Sequence, residues 1–72
     1  MISYAPFWET LKAKNVSQYK LIREFGVDNA QLQRLRNNEV IKTSTIDRLC
    51  EILDCRVEDI MEYIPSDEDQ AL

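Results

Sequence analysis

The sequence predicts an all-α protein made of five short helical segments in one domain. Three observations carry that expectation. Only one Gly and two Pro occur in 72 residues, so little in the chain breaks a helix. Runs of β-branched residues are few, which leaves little to build strands. Apolar residues recur three and four positions apart, the period of one helix face. A chain of this length makes a single small core of modest stability, to which dimerisation would add.

The first helix is expected from about Ala5 to Lys14. Pro6 suits its first turn, and Phe7, Trp8 and Leu11 supply its apolar surface. Trp8 reads as a core or half-buried aromatic before it reads as a stacking platform for a ligand. Residues 17–38, SQYKLIREFGVDNAQLQRLRNN, then read as two helices joined by a tight turn. Ser17 is an N-cap whose hydroxyl can accept from first-turn N–H groups. Leu21, Ile22 and Phe25 recur at helical spacing. Gly26 stands where a helix ends in a left-handed residue, a conformation that strains a side chain with a Cβ. Val27 points back inward, and Asp28 caps the next helix. That helix buries Leu32 and Leu35.

The rest of this third helix is polar. At about 100° per residue, Ala30, Gln33, Arg34 and Asn37 lie opposite the leucines, with Asn29 and Gln31 on the flanks. These side chains suit base edges: Asn and Gln pair with adenine, Arg with guanine, and Ala accepts a thymine methyl. An ordinary solvated face is also polar. This one carries no Lys or Glu in its first two turns, which favours groove reading.

The fourth helix is expected to start near Thr43–Ser44, with either residue as cap and Ile46, Leu49, Cys50 and Leu53 facing inward. Thr43, Ser44 and Thr45 could equally bind a phosphate. A short fifth helix is expected over Val57–Glu62, with Val57, Ile60 and Met61 packing inward. Pro65 stops it. Residues 1–65 thus form the domain, and 66–72, SDEDQAL, are expected to be a disordered acidic tail.

At residues 17–38 the sequence resembles the Cro/repressor-type (XRE-like) helix-turn-helix regulators of bacteria, phages and mobile elements. The resemblance runs from about Pro6 to Ile64. It rests most on Gln18 and Leu21, Gly26–Val27, and Leu32 and Leu35; IDRLCEILDCRVEDIMEY is similar to the last two helices of compact members. It implies a lambda-repressor-like bundle of five short helices that places the third in the major groove of double-stranded DNA. It implies base reading by Asn29, Ala30, Gln33 and Arg34. It implies phosphate contacts by Ser17, Gln18, Asn38, Lys42 and Thr43. Two residues depart from the family's pattern. Ile22 stands where Ala is usual at a close helix contact, which would splay the helices slightly. Asp28 stands where Ser or Thr is common, and would repel DNA slightly.

The net charge of −4 is unusual for a DNA binder, but the charges are segregated. Residues 57–72 hold six acids and no base, whereas 12–48 hold eight bases against four acids. At a screening length of about 8 Å the local field matters more than the total. Weaker non-specific binding than that of a basic repressor is expected, since that term scales with the phosphates neutralised.

No catalytic constellation is present: there is no His, no Gly-rich phosphate loop and no acidic cluster at metal spacing. Glu58, Asp59 and Glu62 read as a solvated face. No enzyme activity and no cofactor are expected. Cys50 and Cys55 are expected on different sides of a helix end. Without His or a third Cys they cannot complete a four-ligand zinc site, so they read as small buried apolar residues in a reduced cell, with a redox switch as the alternative. No run of about 18 apolar residues suggests a membrane span. MISYAPFWE lacks the basic region of a signal peptide, which favours the cytoplasm. The reading is a sequence-specific DNA-binding regulator, most readily a repressor, that pairs weakly as a homodimer on DNA. The alternative is a protein-interaction module on the same fold, an antitoxin or anti-repressor subunit, which the acidic C-terminal third favours.

Overall fold

The structure is a computed structural model and describes residues 1–65; the acidic tail expected over 66–72 lies outside them. Four helices carry the fold: α1 (Ala5–Ala13), α2 (Gln18–Phe25), α3 (Asn29–Arg36) and α4 (Thr43–Leu53). A 3₁₀ turn follows at Val57–Asp59. Strands β1 (Ile2–Ser3) and β2 (Glu62–Tyr63) then pair antiparallel, with Ile2 opposite Tyr63 and Ser3 opposite Glu62.

Every helix is stopped by a residue in the left-handed region: Asn15 (φ 56), Gly26 (φ 67), Asn38 (φ 54) and Asp54 (φ 48). After each reversal the next N–H donates back to a carbonyl near the helix end. Val16 donates to Leu11 at 2.9 Å, Glu39 to Arg34 at 2.9 Å, and Cys55 to Cys50 at 3.1 Å. This satisfies carbonyls that the helix itself leaves unpaired. Asn and Asp tolerate this region better than other residues with a Cβ.

The core gathers one face from each helix. Phe7 and Leu11 of α1, Leu21 of α2, Leu32 and Leu35 of α3, and Ile46, Leu49 and Leu53 of α4 are buried, with Tyr4, Val27 and Ile60 between them. Trp8 is half-buried and meets Phe7 edge-on, with ring centroids 4.8 Å apart.

The all-α expectation holds for the body of the fold, and the fifth helix is reduced to a single turn. Asp59 explains why. Its carboxylate accepts the Arg56 N–H at 3.0 Å, and its carbonyl is taken by the Thr10 hydroxyl at 2.7 Å. The turn is pinned to α1 through that carbonyl, and Glu62–Tyr63 are drawn into the strand pair instead of continuing the helix. Ile60 and Met61 pack inward as expected, but Val57 does not: it is half exposed. Ile22 is on the outer side of α2 and 38 % exposed, so it is no wedge between helices. Neither Thr43 nor Ser44 caps α4. The cap position is Lys42, which makes no side-chain capping bond.

The two cysteines are also placed differently. The left-handed turn at Asp54 folds the chain back, so Cys55 faces Cys50 and both thiols line one apolar cleft with Tyr4, Ile46 and Met61. Burial pushes the Cys55 thiol up to about 11, with the neighbouring Cys50 adding to the shift. Both cysteines are free.

Candidate nucleic-acid interface

The α2–turn–α3 unit is fixed by local chemistry. Ser17 accepts the Lys20 N–H at 3.0 Å, so α2 begins where the sequence indicates. Gly26 ends it, and the Val27 N–H donates to Leu21 at 3.0 Å. A Cβ built on Gly26 would approach nothing nearer than the Arg48 guanidinium at 4.0 Å. The positive φ, not crowding, is what demands glycine here. Asp28 then accepts the Ala30 N–H at 2.9 Å and opens α3. From α4, the Arg48 guanidinium donates to the Phe25 carbonyl at the end of α2 and ties the turn to the bundle.

With Leu32 and Leu35 fully buried, α3 presents its other side to solvent. Asn29, Ala30, Gln33 and Arg34 are all exposed. Ala30, Gln33 and Arg34 share one stripe, and Asn29 is one turn before Gln33. Arg34 forms no side-chain hydrogen bond or ion pair among the described residues, so its guanidinium is available to a ligand. Asn37 departs from the stripe: α3 ends at Arg36, and the Asn37 amide donates to the Glu39 carboxylate at 3.2 Å. Gln31 is half-buried in the cleft between the turn and α4.

The residues expected at phosphates fall into two groups. Ser17 and Gln18 open α2. Ser17 uses its oxygen as acceptor for the helix and keeps its O–H to donate. Gln18 has its amide oxygen occupied by the Arg36 guanidinium, which leaves its NH₂ group to donate outward. Asn38, Lys42 and Thr43 lie in and after the loop that leaves α3. Lys42 and Thr43 are exposed at the start of α4, whose first-turn N–H groups receive no side-chain cap and so favour an anion. Asn38 has a second task. Its Oδ1 accepts the Tyr4 N–H at 2.9 Å, and the Tyr4 hydroxyl donates to the Glu39 carbonyl at 2.9 Å. The loop after α3 is thereby fastened to the segment before α1.

Arg36 is a residue of the candidate site that the sequence does not single out. Its guanidinium donates to both Gln18 and Gln33, and its central carbon lies 5.9 Å from the centroid of the Trp8 ring. One side chain therefore joins α1, α2 and α3. The spacing of Gln33 and Arg36 is visible in the sequence as an i, i+3 pair, but the contact with Gln18 is not.

A glycine-hinged pair of capped helices, with an exposed amide and arginine stripe on the second, defines a helix-turn-helix DNA-binding domain. The chain belongs to the Cro/C1-type HTH DNA-binding domain family, whose model matches residues 7–66. It is also similar to a solved structure, the crystal structure of transcriptional regulator VanUg. That likeness has 28% sequence identity and a TM-score of 0.80, and covers 90% of this chain and 87% of that one. No curated protein matches the sequence. No helix among the described residues is long and apolar enough to cross a membrane.

Proposed function

We propose that this protein reads a specific sequence in double-stranded DNA by laying α3 in the major groove, and that it represses transcription from that site. The exposed stripe on α3, held from behind by Leu32 and Leu35, carries this reading. Asn29, Ala30, Gln33 and Arg34 contact base edges. Ser17, Gln18, Asn38, Lys42 and Thr43 contact phosphates. A DNA ligand places the protein's work in the cytoplasm. Similarity to a transcriptional regulator supports the regulatory role.

One short helix reads only a few base pairs, so specificity calls for a second copy on a half-site ~34–36 Å away. The β1–β2 ribbon and the residue after it offer the surface for that contact: Tyr63 and Ile64 are exposed, and Val40 stands 90% exposed near Ile2. Glu58, Asp59 and Glu62 oppose close approach, so pairing is weak until DNA brings two copies together.

Selection of bound duplexes from a random library tests the reading directly. At the selected site, Arg34→Ala should weaken binding by roughly 1–3 kcal/mol and leave random DNA nearly unaffected. Lys42→Ala should weaken both alike and lower the salt slope by about one. Identical behaviour of the two variants on both DNAs would show the roles to be misassigned.

A further inference from the structure

Arg36 occupies the amide oxygens of two side chains assigned to DNA, one at a phosphate and one at a base. A carboxamide normally offers a donor and an acceptor side by side, which is why Gln suits adenine, with its N7 acceptor beside its N6 donor. A guanidinium carries five N–H donors and no acceptor. Where it holds the oxygen, it takes one of the two lone pairs and turns that oxygen toward itself, so the amide presents its NH₂ group outward. The Trp8 ring beneath the guanidinium limits its freedom to swing away.

We infer that Arg36 is a positioning residue that sets the base preference of Gln33, turning it from an adenine reader into a donor that selects guanine. This rests on the DNA reading above. Guanine shows two acceptors, N7 and O6, to the major groove, whereas adenine pairs one acceptor with a donor and cytosine shows a donor. An amide that presents N–H groups matches guanine and opposes cytosine. The same guanidinium turns the Gln18 NH₂ toward the backbone, so one side chain couples the register of α2 on the phosphates to base choice by α3.

The test uses the full chain in four forms: wild type, Gln33→Ala, Arg36→Met and Arg36→Lys. Library selection with Gln33→Ala identifies the base pair read by Gln33 as the one whose preference disappears. Wild type should favour guanine over adenine there by about fivefold or more. Arg36→Met keeps an apolar stem on Trp8 and frees both oxygens, so the preference should move to adenine while the other positions hold. Arg36→Lys, which retains the charge but not the two-armed fork, should flatten it, and serves alone if the Met variant does not fold.

A second measurement needs no DNA. In ¹⁵N–¹H spectra of the free protein, the side-chain NH₂ resonances of Gln18 and Gln33 should both move in Arg36→Lys. Adenine preferred by wild type, an unchanged guanine preference in the Arg36 variants, or unmoved amide resonances would each overturn the inference. A wild-type protein that enriches no sequence would sink the DNA reading and the base preference with it. The amide shifts would still show whether Arg36 holds the two glutamines.

Discussion

Asn38 performs two tasks that substitution can separate. It stands at φ 54, and its Oδ1 accepts the Tyr4 N–H at 2.9 Å in a partly buried setting. Asn38→Gly keeps the conformation and loses the hydrogen bond. The stranded N–H is only partly buried, so the loss lies near the low end of about 1–3 kcal/mol. With glycine's extra backbone entropy in the unfolded chain, the expected total is about 1–2 kcal/mol. Asn38→Ala loses the same bond and adds left-handed strain of about 1–2 kcal/mol, for about 2–4 kcal/mol in all. At ~4–8 °C per kcal/mol for a domain of this size, the Ala variant should melt about 8–32 °C lower. Asn38→Asp keeps the acceptor oxygen and tolerates the left-handed region, but it loses the NH₂ donor and adds a negative charge. It should unfold within about 0.5 kcal/mol of wild type and yet bind DNA more weakly, most visibly at low salt. Urea unfolding followed by circular dichroism, with DNA binding by fluorescence anisotropy at two salt concentrations, measures each quantity. Equal stabilities for Gly and Ala would refute the strain argument. Wild-type stability in both would refute the role of the Tyr4 bond, and wild-type DNA binding by the Asp variant would refute the phosphate contact.

Other outcomes follow from the same geometry. Asp28→Ser should preserve the cap on α3 and, by removing a negative charge beside the DNA path, strengthen non-specific binding at low salt; unchanged binding would mean that Asp28 is far from the backbone. Sedimentation should find a monomer in free solution and two copies on a palindromic duplex. A one-to-one complex at saturating protein would exclude the dimer. The thiolate is the nucleophile in alkylation, and a raised pKa leaves less of it at a given pH. Cys55 should therefore react with iodoacetamide more slowly than free cysteine at pH 8, and its rate should keep climbing between pH 9 and 11. A rate that levels off near pH 9 would contradict the burial of this thiol.

The parts legible in the sequence are those encoded locally. Ser17, Gly26 and Asp28 each act on N–H or C=O groups within a few residues, so the start, stop and restart of the two central helices could be read from residue type alone. The stripe on α3 was legible for the same reason, since 100° per residue converts sequence into a face. Other features depend on distant partners. Thr10 ties the last turn to α1 by bonding Asp59, 49 residues away. The strand pair joins Ile2 to Tyr63, and two residues per strand are too few for any periodicity to register. Asn15, Asn38 and Asp54 were missed as helix stops because Asn and Asp also start helices and fill turns. Asp54 in turn decides how the two cysteines meet. Arg36 holds Gln18 only because α1, α2 and α3 pack as they do.

The strand pair bears on how the chain folds. The N-terminal ammonium donates to the Ile64 carbonyl at 2.7 Å, and the Ile64 N–H returns a bond to Met1 at 2.8 Å. Closing a loop of that length costs more chain entropy than closing the α2–turn–α3 hairpin, though the cost grows only slowly with length. The hairpin draws on neighbours in sequence and is the natural early nucleus; the ribbon can close only after the helices have brought the two ends together. It is held by a handful of exposed hydrogen bonds, so its amides should exchange with solvent by local opening while Leu21 and Leu32 remain protected. Exchange at Ile64 thus reports the closing of the ring, and exchange at Leu32 the unfolding of the whole domain.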